Sequence, residues 1–294
     1  MSHRRVVIVP LVLLSIIFSV FSVVGEADLE ITFQDMGPHV GETLFVRISN
    51  AATEEEITRL SIAEIPATSF ALEIAGLIIG ESYQVDLFAD VNGNGRYDAP
   101  PIDHAWRIEL PNLQAGGSLT FIHNTQFTNI GWPPAIDGYI GDSEYAHELL
   151  DPETGMTVYW YNSARTLTIG LVSPGNGWLS IGFEPERQMQ GANILIANID
   201  GSTVTIEDHH GNSPISHVQD TLSHVIQAAG SETDAGSILE FRIPLNSGDS
   251  QDKPLAPGDT VTIILAYHSS NDSLRARHSA RSVTTIMLEE KETP

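Results

Sequence analysis

Short runs in which apolar and polar residues alternate recur along almost the entire chain. A period of two places successive side chains on opposite faces of a β-strand, so that one face of each run is buried. Turn residues separate the runs, and no amphipathic stretch is long enough for a major helix, which disfavours α/β folds. The chain is therefore predicted to be all-β, with one short helix from Glu54 to Ile62. The alternation is clearest at residues 44–48, 69–74, 83–88, 106–110, 118–122, 157–161, 166–170, 178–183, 192–197, 203–206, 238–243, 261–267 and 282–288.

The runs fall into two groups on either side of Gly131-Trp-Pro-Pro134, where the alternation breaks. Glycine and proline in this density are typical of a linker or a domain entry. Residues 28–130 are predicted to form a β-sandwich of about seven strands. Residues 135–288 are predicted to form a second β-sandwich, and residues 289–294 a polar tail. The expected architecture is thus two consecutive β-sandwich domains.

Residues 1–27 have the order of an export signal. Arg4 and Arg5 precede an uncharged run from 6 to 24, and the small residues Gly25 and Ala27 follow it. A basic start, an apolar run and a small-residue cleavage site are typical of a signal peptide. A run of this length can also stay in the bilayer as an anchor. We therefore expect an extracytoplasmic protein, either secreted or tethered by its N terminus to the outer face of the cytoplasmic membrane.

The charge and the cysteine count narrow the classes of partner and cofactor. The chain has a formal net charge of -24, and an acidic surface repels phosphate backbones, so that nucleic acid is a poor candidate partner. The sequence contains no cysteine. Disulfides, cysteine-ligated zinc, iron–sulfur clusters and covalently attached c-type haem are therefore excluded. Any metal or haem must be held by histidine, methionine or carboxylate.

The second half carries an ordered set of short motifs: Ile136-Asp-Gly138, Gly177-Trp-Leu-Ser-Ile-Gly-Phe183, Met189-Gln-Gly-Ala192, Leu239-Glu-Phe-Arg-Ile-Pro-Leu245 with Gly248-Asp249, and His278-Ser-Ala-Arg-Ser282. In this order the motifs resemble the DOMON domain family, including its cytochrome-like members. The resemblance implies a β-sandwich with a pocket, which holds b-type haem in some members and sugars or other small ligands in others. Phe183 and Trp178 are expected to lie in the core.

The same resemblance suggests two axial haem ligands. In haem-binding members, a methionine just after the Gly-Trp strand and a histidine near the last strand ligate the iron, and these positions match Met189 and His278. The family's His-x-x-Arg-Gly is His-x-x-Arg-Ser here, which leaves His268 as an alternative second ligand. A thioether and an imidazole together complete a six-coordinate iron that exchanges electrons and does not activate substrate.

The first domain contains the front half of a calcium-binding loop. Its glycine at the sixth position permits a sharp turn, and alternate oxygen-bearing side chains converge on a hard cation. Pro101 stands where such a loop has its bidentate glutamate, and Asp103 is the candidate replacement. The alternative is a tight hairpin loop, because asparagine and glycine tolerate positive φ. The candidate calcium ligands are Asp90, Asn92, Asn94, Asp98 and Asp103.

Two groups of histidines are further candidates. His39, His104 and His123 lie at or beside predicted strand ends, and if those ends meet, three imidazoles form a zinc or copper site. Isolated histidines at strand ends are more often bonded to backbone or solvent. A second group between residues 209 and 224 lies among Gly, Asn, Ser and Pro, and is predicted to be a long solvated loop.

Common catalytic motifs are missing: no Gly-x-Ser-x-Gly, His-Glu-x-x-His, phosphate loop or dinucleotide fingerprint occurs. An electron-transfer or binding protein is therefore expected in preference to an enzyme. The leading hypothesis is a haem b electron-transfer module with a redox partner protein. The second is a module that binds a carbohydrate or another small ligand without redox chemistry. The third is a metal-dependent enzyme built on the three N-terminal-domain histidines.

Overall fold

The computed structural model describes residues 25–291, and within this range the chain is all-β apart from one 3-10 helix. The predicted fold class is confirmed. The N-terminal domain has the seven strands expected for it, with the 3-10 helix (Gly37–His39) between the first two. The strands are β1 (Glu26–Gln34), β2 (Thr43–Asn50), β3 (Glu56–Ile62), β4 (Phe70–Ile78), β5 (Tyr83–Asp90), β6 (His104–Leu110) and β7 (Gly117–Ile122).

Two sheets form the N-terminal sandwich. One has the order β4-β1-β7, with β1 and β7 parallel, and the other has the order β3-β2-β5-β6. The alternation in β1 shows how the sequence builds this core. Leu29, Ile31 and Phe33 are fully buried, whereas Glu30 is exposed and Thr32 is half-buried. Each such side chain contributes about 1.5–3 kcal/mol relative to an exposed one.

The predicted helix from Glu54 to Ile62 is wrong, because residues 56–62 form β3. This strand pairs antiparallel with β2, from Leu44 opposite Ile62 to Ser49 opposite Glu56. β-branched residues fit a pleated sheet better than a helix, and this segment contains Ile57, Thr58 and Ile62. Glu54 itself lies in the preceding turn with a φ of 60°.

The C-terminal domain packs a five-stranded sheet against a six-stranded one. Their orders are β15-β16-β10-β9-β8 and β14-β13-β12-β11-β17-β18. The core between them is apolar and includes Phe183, as expected. The strands are β8 (His147–Leu150), β9 (Thr157–Asn162), β10 (Thr166–Ser173), β11 (Leu179–Phe183), β12 (Asn193–Asp200), β13 (Thr203–Ser213), β14 (Ser216–Gln219), β15 (Gln227–Thr233), β16 (Gly236–Pro244), β17 (Thr260–Tyr267) and β18 (Ala280–Met287).

The prediction of a long solvated loop around residues 209–224 is wrong. β13 pairs with β12 from Asp200 opposite Thr203 to Asn193 opposite His210, and β14 then pairs back onto β13. The sequence concealed these strands because polar side chains occupy both faces. Of these, Asp208 is 3% and His209 8% exposed, so both are buried rather than solvated.

The Ile136-Asp-Gly138 motif is anchored to β16 through the buried Glu240. The backbone N–H groups of Asp137 and Gly138 and the hydroxyl of Tyr145 all donate to its carboxylate, at 3.2, 2.9 and 2.8 Å. Burial raises the pKa of Glu240 to about 7. A side chain at Gly138 would meet the backbone of Gly230 at 2.9 Å. This motif therefore attaches the start of the domain to its sheet.

No helix between residues 25 and 291 is both long and apolar enough to cross a membrane. The predicted signal or anchor is residues 1–27, and its first 24 residues lie outside the described part of the chain. β1 begins at Glu26, directly after Gly25, the first of the two predicted cleavage positions.

Candidate ligand-binding site

A large open cavity of about 1160 Å³ lies on the face of the six-stranded sheet that points away from the core. Strand alternation creates this second face: Leu195 and Ala197 of β12 enter the core, whereas Ile194 and Ile196 line the cavity. The remaining walls come from the segments 188–189, 215–219 and 273–278, which contribute Met189 among others.

The floor of the cavity is apolar. Ile194 and Ile196 of β12 lie beside Ile264 and Ala266 of β17. Trp178 also lines the cavity, although the sequence had suggested a core position for it. Its Nε1 is buried and has no hydrogen-bond partner within the described part of the chain. Because a buried unpaired N–H costs about 1–3 kcal/mol, this atom favours a ligand with an acceptor group.

Met189 reaches the cavity from a tight loop held against β13. The N–H of Gly191 donates to the carbonyl of Gly211 at 2.8 Å, and the N–H of Gly211 donates to the carbonyl of Ala192 at 2.9 Å. The N–H of Ala192 in turn donates to the carbonyl of Met189 at 3.1 Å. Met189 is half-buried and lines the wall of the cavity.

His278 is far from Met189 in the sequence but lines the same cavity. It is half-buried, and burial together with the charges of Arg281 and Arg277 lowers its pKa. The imidazole is therefore neutral at neutral pH, which leaves a lone pair for a metal. Arg275, Arg277 and Arg281 also line the cavity, so this part of a strongly acidic protein is locally basic.

His268, the alternative ligand, is engaged elsewhere. It does not line the cavity, and its Nδ1 accepts the backbone N–H groups of Ser270 and Asn271 at 3.1 and 3.0 Å. These bonds shape the turn after β17. The structure thus brings together Met189 and His278 and not His268. The axial roles of all three residues stay predictions.

Comparison with known proteins identifies the domain that holds this cavity. Residues 152–268 match the DOMON domain family. The C-terminal domain is a DOMON domain. Over 147 residues the chain is 26% identical to DBH-like monooxygenase protein 1 of Mus musculus, a match that covers 47% of this chain and 24% of the relative. The Homo sapiens protein of the same name is 24% identical over 169 residues, with coverages of 57% and 24%.

The chain therefore spans about a quarter of the length of these curated relatives. Among solved structures, the DOMON domain is similar to the cytochrome b domain of pyranose dehydrogenase from Coprinopsis cinerea. That match has a TM-score of 0.37 and 16% identity, and covers 48% of this chain and 80% of the other.

The DOMON cavity also has polar residues that had been predicted from the sequence to lie in a solvated loop. His209 of β13 and His217 of β14 line it together with Glu207. The Nδ1 atoms of the two histidines lie 3.0 Å apart, and His209 Nε2 lies 2.9 Å from Glu207 Oε2. Burial and the neighbouring His209 lower the pKa of His217. Residues 207, 209 and 217 lie on one face of β13 and β14, and a period of two could have indicated these strands. Polar residues on the other face obscured that period.

A small buried polar pocket lies behind β13, on the core side of the sheet. Its volume is about 10 Å³, and Asn193, Asp208, His224 and Asp252 line it. The Oδ1 atoms of Asp208, Asp252 and Asn193 are buried and have no hydrogen-bond partner among residues 25–291. Burial, with repulsion from Asp252 and Asp220, raises the pKa of Asp208 to about 6.

Asp208 predicts a dependence of stability on pH. Its pKa is raised from 3.8 to about 6 in the folded chain, so the folded state holds a proton that the unfolded state releases, and stability falls as pH rises from about 4 to about 6. We expect Asp208→Asn to remove this slope and to raise the free energy of unfolding at pH 7 by up to about 3 kcal/mol. Urea unfolding at pH 4 and pH 7 measures both, with the exposed Asp200→Asn as control. A variant that is equally destabilised at both values would contradict the prediction.

The side chains of the predicted calcium loop form hydrogen bonds with one another and with the backbone of the same loop. Asp90 accepts the backbone N–H groups of Asn94 and Gly95 at 3.2 and 2.7 Å. The side-chain amides of Asn92 and Asn94 both donate to Asp98 Oδ2 at 2.7 Å. The buried Asp103 accepts the N–H groups of Val91 and Asp98 at 3.1 and 2.8 Å. The structure thus brings these side chains into one loop, and calcium binding there stays a prediction.

The structure also brings together His39, His104 and His123. One ring nitrogen of each lies within 4.8 Å of those of the other two. Burial and the neighbouring His39 lower the pKa of His104 and of His123. The strand ends that the sequence could only suggest do meet at one edge of the N-terminal sandwich.

Proposed function

We propose that the DOMON domain binds haem b in the cavity and transfers electrons, with Met189 and His278 as axial ligands. One observation carries the proposal: a half-buried methionine and a neutral histidine, far apart in sequence, line the same cavity. When bound there, haem supplies one-electron exchange.

The residues present fit such a group. The cavity of about 1160 Å³ exceeds the roughly 300–1,000 Å³ of common ligand pockets, so it has room for a macrocycle. Its floor of Ile194, Ile196 and Ile264 excludes water from one face of a flat ligand. Non-covalent binding also agrees with a chain that has no cysteine.

The basic residues of the cavity supply charge for an anionic ligand. Arg275, Arg277 and Arg281 lie along one wall, and guanidinium groups pair readily with carboxylates. We propose that they orient the propionate side of the haem.

We further propose that the protein works outside the cytoplasm, as the N-terminal sequence suggests, and exchanges electrons with a partner protein. The net charge of -24 favours a partner with a basic surface, since opposite charges steer encounter. The N-terminal segment offers a tether if it is retained.

The test is an absorption spectrum of the exported protein, produced with haem available, oxidised and then reduced with dithionite. We expect a sharp reduced α-band that changes in Met189→Ala and in His278→Ala. Met287→Ala, at a methionine that is 66% exposed, and His268→Ala, at a histidine outside the cavity, are the matched controls and should keep the native spectrum.

Either of two results would overturn the proposal. A protein that takes up no haem on reconstitution leaves a module that binds a carbohydrate or another small ligand, and the three arginines in the cavity then favour an anionic one. A haem spectrum that is unchanged in both cavity variants moves the ligands elsewhere, and His209 and His217 become the next residues to replace.

A further inference from the structure

Three histidines of the N-terminal domain converge from separate parts of the fold. His39 ends the 3-10 helix between β1 and β2, His104 begins β6, and His123 directly follows β7. His39 Nε2 lies 3.1 Å from His123 Nε2 and 3.3 Å from His104 Nδ1. The convergence therefore joins segments that belong to both sheets of the sandwich.

The surroundings hold the rings in this arrangement. Glu42 Oε2 lies 2.7 Å from His39 Nδ1, so this nitrogen carries the proton and Nε2 presents its lone pair to the other two histidines. The ring of Trp106 lies against His39 and His123 at 5.8 and 5.6 Å, and the ring of His104 stacks on Phe127 at 3.9 Å. His39 is 2% exposed.

The nitrogen separations agree with a tetrahedral metal site. Zinc–imidazole bonds are about 2.0–2.1 Å long, which places two nitrogens of a tetrahedron about 3.3 Å apart. We propose that His39, His104 and His123 bind one divalent transition-metal ion, Zn²⁺ or Cu²⁺, which imidazole ligands suit. His104 and His123 are half-buried, so the fourth position faces solvent and is open to water.

Glu42 is a positioning residue for this site. A carboxylate on the far nitrogen of a ligating histidine fixes the tautomer and raises the basicity of the ring. Replacing Glu42 with glutamine keeps the shape and removes the charge. We expect Glu42→Gln to weaken binding by about 10- to 100-fold, and removal of a ligand to weaken it more.

The experiment uses the full chain, stripped with a chelator and titrated with Zn²⁺ in a calorimeter. We expect a site that is lost in His39→Ala and in His123→Gln and weakened in Glu42→Gln. His147→Ala is the matched control, because His147 also contacts a carboxylate, Glu289, at 2.9 Å and stacks on a tryptophan, yet belongs to no three-ligand group within residues 25–291.

Two further measurements distinguish histidines that bind a metal ion from histidines that only pack in the domain. Cu²⁺ should quench Trp106 fluorescence and show nitrogen couplings in the electron paramagnetic resonance spectrum, and both should vanish in His39→Ala. Zn²⁺ should raise the midpoint of thermal unfolding in the native chain and not in that variant, since a ligand stabilises only the state that binds it.

The proposal is overturned if the native chain binds neither ion, or if the Zn²⁺ site persists in both histidine variants. A variant that is less stable without metal, but keeps the metal-induced rise in midpoint, would show that the histidines only pack around Trp106. Metal-free circular dichroism of each variant ensures that a lost site is distinguished from a lost fold.

Discussion

Replacing Gly211 with alanine is expected to displace the Met189 loop and to abolish ligand binding in the cavity. An alanine Cβ at this position would lie 1.5 Å from the carbonyl oxygen of Met189 and 2.5 Å from its carbonyl carbon. Both are backbone atoms, so no side-chain rotation relieves the overlap. The loop must move, and the paired hydrogen bonds of Gly211 with Gly191 and Ala192 are lost with it.

The expected cost is about 2–3 kcal/mol of unfolding free energy, as for an overpacked core site, and the proposed haem binding should be lost. Urea unfolding and haem titration measure the two effects. Gly141→Ala is the matched control, because its nearest atoms lie at 3.5 and 3.6 Å, which is ordinary contact. If Gly211→Ala binds haem with native affinity and spectrum, the Met189 loop does not position an iron ligand.

Much of the fold could be predicted because alternation is a local signal. β1, β9 and β17 bury every second residue, and such strands can be found from sequence alone. β3 was mistaken for a helix because Glu56 and Arg59 within it obscure a period of two. β13 and β14 were missed for a related reason: Asp208 and His209 are both buried, on opposite faces of the sheet.

The sequence predicted those site residues that belong to a recognisable motif. It did not predict those that only the tertiary structure brings to the site. Met189 and His278 could be proposed from the DOMON resemblance, and the structure places both in one cavity. His209 and His217 reach that cavity only through the β13–β14 pairing, which no local pattern shows. Similarly, no local pattern gives Glu54 a partner, and its hydrogen bonds arise only from the packing of the two domains.

Glu54 is expected to couple the two domains, so that Glu54→Ala makes them unfold separately. Its carboxylate accepts hydrogen bonds from Ser163 Oγ and Thr166 Oγ1, both at 2.7 Å, and from Arg165 Nε at 3.0 Å. All three donors belong to the DOMON domain. The carbonyl of Glu54 also accepts Arg242 Nη1 at 2.8 Å, so this one residue of the N-terminal domain is bonded to four residues of the other.

The pKa of Glu54 gives the coupling a pH dependence. Burial alone would raise this pKa, but the hydrogen bonds from Ser163 and Thr166 and the charge of Arg165 hold it below its usual value of 4.5. A carboxyl with a lowered pKa contributes stability above the unfolded-state pKa, and that stability is lost as pH falls through the folded-state value. The domains should therefore separate in acid, below about pH 4.5.

Differential scanning calorimetry measures the coupling. We expect one transition for the native chain at pH 7 and two for Glu54→Ala. The expected loss is about 1.5–3 kcal/mol, the typical contribution of hydrogen bonds to a charged group, because the Arg165 side chain is 44% exposed and its charge is screened by solvent. Glu55→Ala is the matched control, because Glu55 is the exposed neighbour in the same turn. A single transition with an unchanged midpoint in Glu54→Ala would mean that the linker and the remaining contacts, such as Tyr161 to the carbonyl of Gly131 at 2.5 Å, hold the domains together without Glu54.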